Sequence, residues 1–224
     1  KRLTEGSTQD HSLAWSPKGD EIAYISNHEP DPDRVVNYDI FTVRVADGRV
    51  RQITKTKGSE YAPVWSPDGS TIAYLAGVRE LTTQESSAED PHVWVIPASG
   101  GASGGTARQL AASLDRRANG VAWAVDEPTI YFTVQDRGST VLYRVGADDR
   151  GLTQVVTGPG SVGAFSPARA QQVAYTFTSA SAPADVFVKA ASAAARQLTK
   201  LNADLLATRD VSVAEPFEFA SFDG

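Results

Sequence analysis

The chain has 224 residues, enough to bury a sizeable core in one or two domains. Its 41% hydrophobic content is ordinary for a globular fold, and no apolar run approaches the length of a membrane-spanning helix. A net charge of −6 provides no basic stripe for nucleic acid, and the absence of cysteine excludes disulfides and thiolate metal sites.

The opening Lys1-Arg2-Leu3-Thr4-Glu5-Gly6 contains no apolar core of a signal peptide. Lys1 to Thr4 instead matches the closing phrase of later strands, and reads as the last strand of a blade whose first three strands are missing. Trp15-Ser16-Pro17-Lys18-Gly19-Asp20 then opens a repeat that returns at Trp65, at Trp123 and, with an aromatic substitute, at Phe165. The spacings are 50, 58 and 42 residues. A β-repeat of roughly 40–50 residues is the size of one four-stranded propeller blade.

The second copy shows the frame most plainly. Ala62 to Trp65 is a short strand, and Ser66-Pro67-Asp68-Gly69 is a tight turn. Proline presets its first corner and Gly takes its left-handed position. Thr71 to Leu75 returns, rich in β-formers. After the polar stretch Ala76 to Pro91, His92 to Ile96 is a third strand and Ala107 to Leu110 a fourth. Third strands recur at Asp39–Val43, Val141–Val145 and Asp185–Val188. Fourth strands recur at Arg51-Gln52-Ile53-Thr54, Thr153–Val156 and Arg196-Gln197-Leu198-Thr199. No window sustains a helical period, and Ala190 to Ala195 falls where a hairpin tip is needed.

The expected fold is therefore all-β: a β-propeller of four-stranded antiparallel blades, about four of them, forming part of a larger ring. The blades run over about 5–54, 55–111, 112–156 and 157–200, with 201–224 a connection. Trp15, Trp65, Trp123 and Phe165, with Tyr24, Tyr74 and Tyr175, are expected to pack between blades, because a single blade cannot bury both faces. An open arc leaves an uncovered apolar face at each end, which predicts association through those edges.

Chemistry-bearing patterns are sparse. Gly101-Ala102-Ser103-Gly104-Gly105 spells G-x-S-x-G, but it lies between two β-segments and no histidine follows it, so it reads as a hairpin. His11, His28 and His92 fall in different repeats without ligand spacing. The acidic patches Glu29-Asp31-Asp33 and Glu85-Glu89-Asp90 lack the pattern of a calcium loop. No catalytic residue, metal site or cofactor is expected within the chain. Its binding capacity belongs to the long connections Ser26 to Tyr38 and Ala76 to Pro91, which leave one face of the ring.

The Trp-Ser-Pro-Asp-Gly…Ile-Ala-Tyr and Arg-Gln-Ile-Thr phrases resemble the propellers of TolB-type proteins and of the prolyl oligopeptidase family of serine peptidases. Three stretches are similar to the acylaminoacyl peptidase branch of the latter. They are Asn27 to Asp33 running into Tyr38-Asp39-Ile40-Phe41, then Gln197 to Asn202 with Leu205-Leu206, and Ala214 to Gly224 with its Ser221-Phe222-Asp223-Gly224 bridge. That resemblance implies a cytoplasmic enzyme whose propeller caps a separate α/β-hydrolase domain and admits short, N-acylated peptides. It implies that Arg34, Tyr38 and Arg79 line the access route, where a guanidinium can pair a peptide carboxylate. It implies no cofactor, nucleic acid or membrane partner. The TolB likeness implies a different class, a protein-interaction propeller without activity.

Overall fold

The computed structural model describes residues 2–80, 82, 89–101, 105–212, 214–215, 217 and 219–222. The first sheet is β1 (Asp10–Trp15), β2 (Glu21–Ser26), β3 (Asp39–Arg44) and β4 (Val50–Gln52); the second is β5 (Glu60–Trp65), β6 (Thr71–Ala76), β7 (His92–Pro97) and β8 (Arg108–Gln109). The third comprises β9 (Ala118–Trp123), β10 (Thr129–Asp136), β11 (Ser139–Gly146) and β12 (Thr153–Val156). The fourth comprises β13 (Ser161–Pro167), β14 (Gln172–Ser179), β15 (Ala182–Ala190) and β16 (Arg196–Gln197). Each sheet is an antiparallel meander in chain order, and one parallel pairing, Thr140 to Ser161, links the last two. This is an all-β propeller architecture of four-stranded blades. A single helical turn, α1 (Ala203–Leu206), follows the last strand and buries no residue, an element the periodicity did not predict.

The repeated turn is built by its serine. Ser66 N donates to Thr71 O at 2.8 Å, Thr71 N donates back to Ser66 Oγ at 3.0 Å, and Gly69 takes φ +74°. The first blade repeats this with Ser16, Glu21 and Gly19. A bulge interrupts each of the first two inner strands, placing Ser12 and Ala62 at positive φ; the third blade has Gly120 at the same point, where the conformation costs least.

The core lies between sheets rather than within them. Ile25, Ile40 and Ile53 of the first blade meet Ile72, Tyr74 and Ile96 of the second. Leu75, Val93 and Leu110 of the second meet Ile130, Phe132 and Val134 of the third. Tyr131, Leu142 and Val156 of the third meet Val162, Val173 and Tyr175 of the fourth. Each fully buried aliphatic of this set contributes ~1.5–3 kcal/mol.

Hydrogen bonds set the stacking register. Trp65 Nε1 donates to Ala14 O at 3.1 Å, and Trp123 Nε1 donates to Val64 O at 3.1 Å, so each indole reaches the preceding inner strand one residue before its own counterpart. Phe165 has no donor, and its ring packs at Gly120 instead. Among the described residues none accepts from the Trp15 indole in this way, and Trp15 is 61% exposed.

Candidate functional site

The β2–β3 and β6–β7 connections emerge on one face. In the other two blades tight hairpins replace them, at Arg137-Gly138 and at Ala180-Ser181. The first two blades therefore carry all the elaboration on this face.

Short-range polar chemistry holds the first connection. Asn27, almost fully buried, donates from Nδ2 to Val35 O at 2.7 Å and accepts from Glu29 N at 3.0 Å. Arg34 N and Val35 N close a turn onto Asp31 O. Asn37 Nδ2 reaches Glu29 Oε1 at 2.8 Å and Thr56 O at 3.1 Å, while Ser59 Oγ donates to Val36 O. Glu60 N then bonds Tyr38 O at 2.8 Å, tying the loop to the start of the second blade.

A cleft of about 440 Å³ lies between this loop and residues 7–9. Tyr38, His28, Glu29 and Asp33 line it. His28 stacks on Phe41 with centroids 4.3 Å apart, and Tyr38 meets the His11 ring edge-on at 5.1 Å. The cleft is polar, acidic and aromatic-walled. Its wall offers carboxylates from Glu29 and Asp33, an imidazole from His28 and hydroxyls from Ser7 and Thr8.

In the second connection, Val78 N and Arg79 N both donate to Glu89 Oε2, at 2.7 and 3.0 Å. A β-bridge between Val35 and Thr82 joins the two connections. Tyr38 thus lines the cleft, whereas Arg34 and Arg79 are exposed beside it, each within three residues of that bridge. Among the described residues no group of three or more His, Cys, Asp or Glu is arranged to hold a metal. Glu85 and Ser103 lie outside the described residues, as do Asp223 and Gly224.

Beneath the loop lies a buried pair of acids that no motif announces. Asp39 Oδ2 accepts from Gln52 Nε2 at 3.0 Å, and Asp39 Oδ1 accepts from Thr56 N at 3.1 Å. Thr54 Oγ1 accepts from Ile40 N at 2.8 Å, and its one proton faces Asp39 Oδ1 at 3.3 Å and Glu60 Oε2 at 3.2 Å. Thr56 Oγ1 donates to Glu60 Oε1 at 2.8 Å. Glu60 is 1% exposed. Burial, reinforced by the charge of Asp39 and opposed by the Thr56 hydroxyl, pushes the Glu60 carboxyl up to about 8. Burial also raises Asp39. At neutral pH the pair therefore holds a proton, which lets one acid donate to the other.

No family model matches the chain, and no curated protein does. Solved structures are similar. The uncomplexed acylaminoacyl peptidase of Pyrococcus horikoshii aligns with a TM-score of 0.64 over 92% of this chain and 29% of that one, at 16% identity. TolB from Acinetobacter baumannii aligns with a TM-score of 0.59 over 88% and 45%, at 18% identity. A puromycin-hydrolyzing peptidase of Mycobacterium tuberculosis aligns with a TM-score of 0.61 over 81% and 28%, at 15% identity. The chain spans less than half the length of each of these three proteins. What it shares with them at such identities is the fold, a β-propeller similar to the propeller domains of acylaminoacyl peptidases and of TolB.

Proposed function

We propose that this chain is the non-catalytic propeller of an acylaminoacyl-peptidase-like serine peptidase, which admits short, N-blocked peptides to a hydrolase domain elsewhere in the protein. The observation that carries the reading is the course of the chain after Thr199. It leaves the sheet, makes the single turn α1, and then runs on with Phe217, Phe219 and Phe222 exposed. Apolar rings displayed along a non-repeating tail suit a segment that packs onto a separate domain.

The loop face supplies the filter in this reading. Glu29 and Asp33 on the cleft wall disfavour an incoming carboxylate, so a peptide's C-terminus is directed to the guanidinium side, Arg34 and Arg79. Tyr38, held by the Glu60 backbone bond and the His11 ring, is a fixed wall. Neither arginine takes part in bond breaking.

Labelling of the full-length protein with a fluorophosphonate probe, combined with hydrolysis of N-acetylated di- and tripeptides, tests the reading. The expected result is a labelled serine outside residues 1–224, and a raised KM with unchanged kcat when Arg34 and Arg79 are both replaced by Ala. A full-length protein that neither labels nor hydrolyses these peptides, yet retains a stable protein partner, would establish the interaction-propeller alternative instead.

A further inference from the structure

One row of side chains crosses each blade at the same register. In the first blade it is Ala23, Thr42 and Arg51; in the second, Ala73, Val95 and Arg108; in the fourth, Ala174, Val188 and Arg196. The third blade has Tyr131, Arg144 and Thr153 in these places. Its cation thus stands on β11, one strand further in than the arginines of the other rows.

The fourth blade departs from the repeat at a neighbouring position. The residue that follows the middle member of the row is Val43, Ile96 and Val145 in the first three blades, each of them buried. In the fourth blade it is Lys189, half-buried. Lys189 shares a face of β15 with Phe187, and Arg144 shares a face of β11 with Leu142; Phe187 and Leu142 both belong to the core between these two blades. The two cations therefore enter one seam from opposite sides. They line a single cleft of about 240 Å³ beside the outermost strand β12.

This seam brings no counter-charge to them. In the first seam Arg51 is paired with Glu21 at 2.9 Å, whereas neither Arg144 nor Lys189 forms an ion pair among the described residues. Lys189 Nζ donates to Ala193 O at 2.6 Å, and the Arg144 guanidinium donates to the buried Tyr131 hydroxyl. Glu127 and Asp126 are close enough for their charges to act on that hydroxyl, but they are engaged elsewhere. Glu127 Oε2 accepts from Gln171 Nε2 at 3.2 Å and Asp126 Oδ2 from Ala170 N at 2.9 Å, and neither acid lines the cleft. Two like charges held in one half-buried cleft oppose each other until an anion joins them. The wall adds the Thr157 hydroxyl and the Gln154 amide. A guanidinium fork, an ammonium and further neutral donors converging from several directions suit a tetrahedral oxyanion better than a planar carboxylate.

We propose that the cleft between the third and fourth blades binds phosphate, as the free anion or as the phosphoryl group of a larger ligand, held by Arg144 from one blade and Lys189 from the other. The bound anion closes the outer part of this seam, where the other seams use apolar side chains or an internal ion pair. The site is independent of the peptidase reading, since it lies in a different seam from the loop cleft and requires no hydrolase domain.

Isothermal titration calorimetry of the full-length protein at constant ionic strength, balanced with chloride, tests it with inorganic phosphate and methyl phosphate as probes. Saturable binding is expected. Tighter binding of inorganic phosphate assigns the site to the free anion, and tighter binding of methyl phosphate to a phosphoryl group on a larger ligand. Arg144→Gln and Lys189→Val, the second restoring the aliphatic side chain of the other blades, are each expected to weaken binding ~10-fold or more. Arg49→Gln, in the first blade, is expected to leave it unchanged, and circular dichroism confirms that each variant folds. Absence of binding by both probes would overturn the proposal. So would undiminished affinity in either cleft variant, or an equal loss in Arg49→Gln, which means diffuse attraction to surface charge.

Discussion

The seam between the first and second blades and the seam between the second and third are made by the same repeat around the same kind of apolar core, and differ in the polar cluster that only the first carries at one end. Where the first has Asp39, Thr54 and Glu60, the second has His92, Ala111 and Ala118 at the matching strand positions. The backbone is conserved through the change. Glu60 N donates to Tyr38 O, and Ala118 N to Pro91 O, in corresponding places. An apolar seam is thus sufficient for blade stacking, and burying two carboxyls adds a desolvation cost that packing alone would avoid. What the first seam has besides is side-chain attachment to the loop that walls the cleft: Asn37 Nδ2 donates to the Thr56 carbonyl, and Ser59 Oγ donates to Val36 O. The apolar seam has the simpler role of holding two blades together.

Truncation separates the two chemistries most strongly. Leu110→Ala, in the apolar seam, is expected to cost ~2–5 kcal/mol of unfolding free energy with no pH dependence. Leu198→Ala, at the same strand position but half exposed, is expected to cost well under ~1 kcal/mol in the monomer, as read by denaturant titration. Equal losses would mean that the seams do not carry the core.

The polar seam is expected to reveal itself through pH. The unfolded chain ionises Glu60 in the ordinary glutamate range, while the fold retains its proton up to about 8. Between those values the native state binds the extra proton, so stability falls as pH rises and levels off above about 8; below the ordinary glutamate range the stabilisation is fully present. The effect is on the order of a few kcal/mol. Glu60→Gln keeps the shape of the protonated acid and is expected to remove most of that slope in thermal melts between pH 5 and 9. A slope unchanged in this variant would assign the pH dependence to other groups.

Smaller effects test the register. Trp65→Phe removes the indole bond to Ala14 O while leaving a ring of the type the fourth blade already uses, and is expected to cost ~1 kcal/mol. Ala62→Gly is expected to gain up to ~1 kcal/mol, because Ala62 is held at φ +48° where the third blade has Gly120. A destabilised Ala62→Gly chain would mean that its methyl packs more than the structure shows.

The contrast between the seams also marks how far the chain could be read. The Trp-Ser-Pro turns were legible because Ser66, Pro67, Asp68 and Gly69 act on their own backbone. The Arg-Gln-Ile-Thr phrase was legible as a strand but not as a clamp, since Gln52 and Thr54 grip an aspartate 13 and 15 residues away. Glu60 was invisible for a different reason: Thr54 and Thr56 lie only six and four residues before it, but its burial beside Asp39 comes from the preceding blade, and its sequence neighbours do not single it out among 27 acidic residues. The long connections were recognisable from their length and polarity. Which of their residues line the cleft was not, because Tyr38 is placed there by bonds to the next blade, whereas Arg34 and Arg79 project from the turns beside it. Trp15 shares its phrase with Trp65, and only the neighbour decides that one is covered and the other exposed.

The first seam keeps a proton on its buried acids beneath the loop over the cleft, whose Tyr38 and Asn37 are bonded to the Glu60 amide and the Thr56 carbonyl. Carboxyl-carbon NMR of Glu60 in the folded protein measures this directly. A midpoint near 8, with the amides of Asn37 and Tyr38 shifting along the same curve, is the predicted result. A midpoint in the ordinary glutamate range, or loop amides indifferent to the titration, would contradict it.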